Sequence, residues 1–159
     1  MKTALILALM ILSTQAQACP NFSGVWVGGC SAENPTNKVI TISQGECRVL
    51  GIQYVSIPEE GNYFSGLQFN VGAANAQAMD YSGKDGKPNR ITQATTAQWN
   101  SDQTELHATQ VFQHETEGQR DFEFGHTIKF SIVNGKLIKV GTALSGTASD
   151  YNCEYQKRD

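Results

Sequence analysis

The chain has 159 residues, 40% hydrophobic and only 17% charged, with a formal net charge of −3. That length suits one domain with a real core. The Lys and Arg residues form no stripe, which excludes nucleic acid and other phosphate-rich partners.

Residues 1–18 read as an export signal. Lys2 precedes an apolar run, Ala4–Leu12, of nine residues. That is far short of the roughly 20 needed to span a bilayer. Ala16-Gln17-Ala18 is a small-x-small cleavage site, and no later segment has spanning length. The expected domain is therefore 19–159, periplasmic or secreted, with no membrane span. Cys19 at the cleavage point raises lipid anchoring. Ala16 and Gln17 fit a lipobox poorly, and a lipidated Cys19 would leave an odd three cysteines. A soluble exported chain is expected.

Four cysteines, Cys19, Cys30, Cys47 and Cys153, suggest two disulfides in an exported protein. Three pairings are open. If residues 30–37 carry the first hairpin turn, Cys19 and Cys47 lie together at its open end, which favours Cys19–Cys47 with Cys30–Cys153. In any pairing Cys153 ties the C-terminal strand into the fold. Cys-x-x-Cys is absent.

Beyond the signal, apolar residues alternate with polar ones between clusters of Gly, Asn, Asp and Ser, the pattern of short antiparallel strands. The first strands are expected over 22–30, 39–43, 48–57, 63–71 and 76–82. A further five follow over 89–99, 106–114, 122–133, 137–144 and 151–156. Turn chemistry marks 59–62, 84–88, 100–102 and Asn134-Gly135. Residues 73–78 are alanine-biased and fit a short helical turn or a loop.

Strand 89–99 puts Ile91, Gln93, Thr95, Ala97 and Trp99 on one face, which fits a polar-tolerant interior or a rim. The cleanest strand is 122–132. Phe122, Phe124, His126, Ile128, Phe130 and Ile132 share one face and Glu123, Gly125, Thr127, Lys129 and Ser131 the other. Its length of roughly 37 Å suits a coiled barrel strand. The following hairpin holds a conflict. A two-residue Asn134-Gly135 turn would pair Phe130 with Lys139 and point Lys139 inward. One more residue in the loop would pair Ile132 with Ile138 and Phe130 with Val140. Burial favours the second register and a bulge at the turn.

The opening Cys19-Pro20-Asn21-Phe22-Ser23-Gly24-Val25-Trp26-Val27-Gly28 resembles the first strand of the calycin superfamily, which includes lipocalins and avidins. The stretch 81–88, with Ala97-Gln98-Trp99 and Glu105-Leu106, is similar to the meander of small exported lipocalin-like proteins. The resemblance implies an antiparallel up-and-down β-barrel of about eight to ten strands. It also implies that Gly24 and Trp26 plug one end. The lipocalin Thr-Asp-Tyr motif and the biotin-lining tryptophans of avidins are absent, so biotin binding is not implied.

Candidate chemistry is sparse. His107 and His114 differ in strand parity and cannot share a face without a bulge, and His114-Glu115 beside Glu117 reads as a solvated loop. No metal site or cofactor is expected. No nucleophile motif appears, so no enzyme is expected. Asp80, Ser82 and Asp85 are too sparse for a calcium loop. Asn21-Phe22-Ser23 fits a glycosylation acceptor, which matters only in a eukaryotic secretory route.

The aromatics Phe64, Phe69, Phe112, Phe122, Phe124 and Phe130 would line the barrel interior or simply fill it. The expected ligand-binding residues are Phe122, Phe124, His126 and Phe130. His126, the polar member of its row, is either a hydrogen-bonded core residue or a handle for a ligand. Two functions follow: a non-catalytic barrel that holds a small hydrophobic molecule, or a module that binds another exported protein, such as a hydrolase inhibitor.

Overall fold

The computed structural model describes residues 19–31, 39–54, 66–83 and 85–159. The export signal at 1–18, most of the first hairpin turn at 30–37, the turn at 59–62 and Phe64 lie outside the described residues.

The described chain is all β. Its first five strands are β1 (Gly24–Cys30), β2 (Val39–Gly45), β3 (Val49–Tyr54), β4 (Gly66–Asn70) and β5 (Asn75–Ser82). The second five are β6 (Pro88–Trp99), β7 (Glu105–Thr116), β8 (Gln119–Val133), β9 (Lys136–Gly146) and β10 (Tyr151–Arg158). The alanine-biased stretch at 73–78 is corrected: only 73–74 lie in the turn, and 75–78 are the start of β5. Among the described residues no helix is long and apolar enough to cross a membrane.

All pairings between strands are antiparallel in one sheet, ordered β4-β3-β2-β1-β10-β9-β8-β7-β6-β5. Pairing of β1 with β10 joins the two ends of the meander and leaves β4 and β5 as its edges. Across that gap β4 lies against β6. Val71 bridges Ala97, Gly72 N–H donates to Ala97 O at 2.9 Å, and Thr95 Oγ1 donates to Gln68 O at 2.7 Å. The result is a nearly closed barrel, which hides most of the edge backbone that a flat sheet would expose.

Two tight turns set the register of the long strands. Asn134 and Gly135 both have positive φ, 52° and 76°, as a two-residue hairpin turn with the right twist requires. This turn pairs Ile132 with Leu137 and Phe130 with Lys139. The expected bulge at the turn, with Ile138 and Val140 inward, is therefore corrected. Turn geometry outweighs the simple burial pattern. Lys139 is 5% exposed, and its Nζ lies 4.6 Å from the centre of the Tyr151 ring, where a cation is favourably held. The irregularity comes further along, between Gly125 and His126 on β8, where Leu144 of β9 is the extra residue.

The core gathers at one end. Phe22, Phe69, Leu106, Phe130 and Leu137 are fully buried there, with Trp26, Ile40, Ile42, Leu50 and Ile52 nearly so. Phe22 stacks on Trp99 at 5.8 Å and tilts against Phe130 at 6.4 Å. Trp26 Nε1 donates to Phe22 O and Trp99 Nε1 to Cys47 O, both at 2.8 Å, so neither indole N–H is left unpaired. Two disulfides staple this architecture. Cys19–Cys47 fastens the N-terminal segment beside the β2–β3 turn, and Cys30–Cys153 joins directly opposed residues of β1 and β10.

Candidate functional site

Cross-strand registry lets the interior be read as rows, from the sealed end to the rim. The lowest row on β6, β7 and β8 is Trp99, Leu106 and Phe130, continued on β9 and β10 by Lys139 and Cys153. Next come Ala97, Ala108, Ile128, Gly141 and Tyr151. Above them lie Thr95, Gln110 and His126, then Gln93, Phe112 and Phe124, and finally Ile91, His114 and Phe122. The inward surface thus changes from large apolar, to small, to polar, to aromatic.

The small row matters sterically. Ala97, Ala108 and Gly141 carry little or no side chain into the interior. A Cβ on Gly141 would fall 2.2 Å from the Tyr151 ring, so glycine is what lets that ring lie across β9. Tyr151 in turn meets His126 edge-on at 5.0 Å and the Lys139 ammonium through its face.

Above this level the walls are not packed shut. Asn75, Met79, Gln110, Phe112, His114 and Phe124 face inward yet stay half-exposed. Phe124 stacks on Phe112 at 4.9 Å, Phe112 on Phe122 at 5.9 Å, and Phe122 on His114 at 5.1 Å, with interplanar angles of 15–18°. These four rings form a continuous ladder up the β7–β8 wall.

The four expected ligand-binding residues do not share one environment. Phe130 is 0% exposed and packs between Phe22 and Phe69 in the sealed end. Phe124 is half-buried in the ladder, and Phe122 is 41% exposed at the rim. His126 is 9% exposed; its Nε2 pairs with Ser149 O at 2.9 Å, and its ring packs on Phe124 and Tyr151. Gln93 and Thr95 are buried beside it in the interior. Lys139, Tyr151 and Gln110 are the interior residues that sequence reasoning missed. Alternation of Tyr151, Cys153 and Tyr155 and the Asn134-Gly135 dipeptide carried the signal for the first two.

His114 also needs correction, because it is no loop residue. It lies on β7, half-buried, with Nδ1 2.8 Å from Asp121 Oδ2 and Nε2 2.8 Å from the Tyr81 hydroxyl. His107 points to the outer face, beside Glu105 at 3.1 Å. That hydrogen bond, helped by Lys129 at 3.3 Å, holds the Glu105 carboxyl below its ordinary value, against a smaller opposing effect of burial. Among the described residues, no three His, Cys, Asp or Glu side chains are grouped to hold a metal ion.

No family model matches this chain, and no curated protein matches it. Among solved structures it is similar to a mutant of the fluorescent protein UnaG. The two are 14% identical over 87% of this chain and 96% of that one, with a TM-score of 0.47.

Proposed function

We propose that this protein is an exported, non-catalytic barrel that holds one small apolar or aromatic molecule inside its open half. One observation carries the reading: the inward aromatic wall of β7 and β8 is half-exposed, while the opposite end is sealed. Rings facing an interior yet open to solvent are what a preformed pocket offers, with a few polar groups to orient the guest. In this reading Phe112, Phe122 and Phe124 form the wall. His126, Gln93 and Thr95 supply the polar handles, and the row of Ala97, Ala108 and Gly141 leaves the room. Phe130 supports the floor without touching the guest, and Gly24 and Trp26 close the far end. Two disulfides fit the oxidising compartment to which the export signal would send the chain.

The alternative, a module that docks another exported protein, calls for a contiguous apolar surface patch. Among the described residues, the exposed large apolar side chains, Val27, Val49, Phe122, Val133 and Leu144, are spread over four strands, which favours the interior reading.

Native mass spectrometry of protein purified from its own host tests this. The expected result is one small molecule per chain, released on denaturation and lost in Phe124→Ser. A bare mass, together with no saturable uptake of 8-anilinonaphthalene-1-sulfonate, would overturn it.

A further inference from the structure

A second feature lies at the rim, at the top of that interior wall, where it shares His114 and Phe122 with the ring ladder. Thr116 pairs with Gln119 across a tight turn at Glu117 and Gly118, whose φ angles are 53° and 78°. This turn sets one register, but beyond His114 the β7–β8 ladder runs in another: Glu115 pairs with Arg120, and His114 with Phe122. Asp121 is the extra residue. Such a bulge re-aims a side chain. Here it brings the Asp121 carboxylate within 2.8 Å of His114 Nδ1, and Thr116 Oγ1 donates to the same oxygen.

The hydrogen-bond directions follow from donor and acceptor chemistry. A carboxylate only accepts, so Nδ1 carries the imidazole proton and donates it to Asp121. With the proton on Nδ1 alone, Nε2 is an acceptor, and the Tyr81 hydroxyl donates to it across 2.8 Å. Stacking on Phe122, at 5.1 Å and 15°, holds the imidazole plane. Three strands thus build a phenol, a base and a carboxylate that orients the base. This is the arrangement that activates a weak oxygen nucleophile. Tyr81 is half-buried at the open end, on the inward face that it shares with Asn89 and Thr116.

We propose that Tyr81 is an activated phenol that accepts an acyl group from a small donor with a good leaving group entering at the open end. The Tyr81 Oη–H bond breaks as Oη bonds to the acyl carbon, and His114 Nε2 takes the proton. The bond from carbon to leaving group breaks with its electron pair, and the leaving group takes the proton from His114. The products are acyl-Tyr81 and the protonated leaving group, with no oxidant or metal involved. Tyr151 and Tyr155 are buried in the barrel and shielded from such a donor.

The probe is p-nitrophenyl acetate, followed by p-nitrophenolate release and by peptide mapping of the intact, disulfide-bonded protein. Acetylation is expected at Tyr81, on the order of 10²-fold faster than in N-acetyltyrosine amide, the range a positioned general base supplies. His114→Phe keeps the ring stack and removes the base; its Tyr81 rate should fall to that of the free amide. Asp121→Ala, at an exposed position, should fall in the same direction and keeps the test available if His114→Phe does not fold. Tyr81→Phe should lose the fast release. A Tyr81 rate no higher than in the free amide, or one unchanged by both His114→Phe and Asp121→Ala, would reduce the cluster to a structural tie and overturn the proposal. The interior-binding reading is tested separately, by guest retention in Phe124→Ser, a variant that leaves Tyr81, His114 and Asp121 in place.

Discussion

The two ends of this barrel solve opposite problems with the same strand alternation. At the sealed end most large inward side chains are apolar and nearly without exposure, Lys139 is held under a ring, and both indole N–H groups are bonded to backbone. Toward the rim the inward side chains of β7 and β8 are mostly aromatic or polar; Gln110, Phe112, His114 and Phe124 remain partly wet, and side-chain hydrogen bonds such as His126 to Ser149 and His114 to Asp121 hold the wall. Close packing stabilises the first end, and losing an atom there leaves a cavity. The second end spends less on packing and keeps surface available for a guest. Stability and binding should therefore respond to different residues on the same strand, β8.

The sharpest contrast is Phe130 against Phe122. Phe130→Ala should cost about 3–5 kcal/mol in denaturant unfolding, as for other fully buried phenylalanines. Phe122→Ala, at a side chain 41% exposed, should cost far less and should weaken guest uptake. Equal costs would break the division into floor and rim. Removing the β1–β10 bridge by Cys30→Ser with Cys153→Ser should lower stability by about 2–4 kcal/mol, because it closes a long loop. Reversible unfolding of the oxidised and doubly substituted proteins would measure this.

A smaller effect is expected at the turn that decides which residues face inward. Gly135→Val forces a β-branched residue to φ near 76° and should cost about 1–3 kcal/mol. It should also make the alternative β8–β9 register competitive, seen as doubled amide resonances for Lys136–Val140. The smallest effect concerns pH. The folded-state Glu105 carboxyl is held below its ordinary value of 4.5, first by the hydrogen bond from His107 and then by Lys129. A depressed carboxyl contributes stability that is fully present above the unfolded value and is lost as pH falls through the folded one. Glu105→Gln should therefore melt lower than wild type at pH 6, and the gap should close on acidification below 4.5. A gap that widens in acid would reverse the sign of this account.

Much of the fold is legible in the residues. Alternation marks the strand face of Phe122, Phe124, His126, Ile128, Phe130 and Ile132, and all six face the interior. Positions along the barrel axis are less legible. Period-two alternation says which face a residue takes, not how far it lies from the sealed end, so Phe130 and Phe122 look equivalent in sequence. Lys139 is hidden for a different reason. Its inward place depends on Asn134-Gly135 fixing the register and on a ring from β10 receiving the charge, and the second is a contact between distant residues. Asp121 at His114 depends on a bulge, which alternation cannot register.

The central claim, that the wet aromatic wall is a binding surface while the sealed end is scaffold, is tested most directly by amide and side-chain NMR shift mapping. The isotope-labelled, disulfide-bonded protein would be titrated with 8-anilinonaphthalene-1-sulfonate. The account predicts saturable one-to-one binding with shifts concentrated at Gln93, Thr95, Gln110, Phe112, Phe124 and His126. Trp26, Leu106, Phe130 and Leu137 should stay near their starting positions. Shifts confined to outward residues such as Thr96, Gln98, His107 and Thr109, or movement that never saturates, would contradict it.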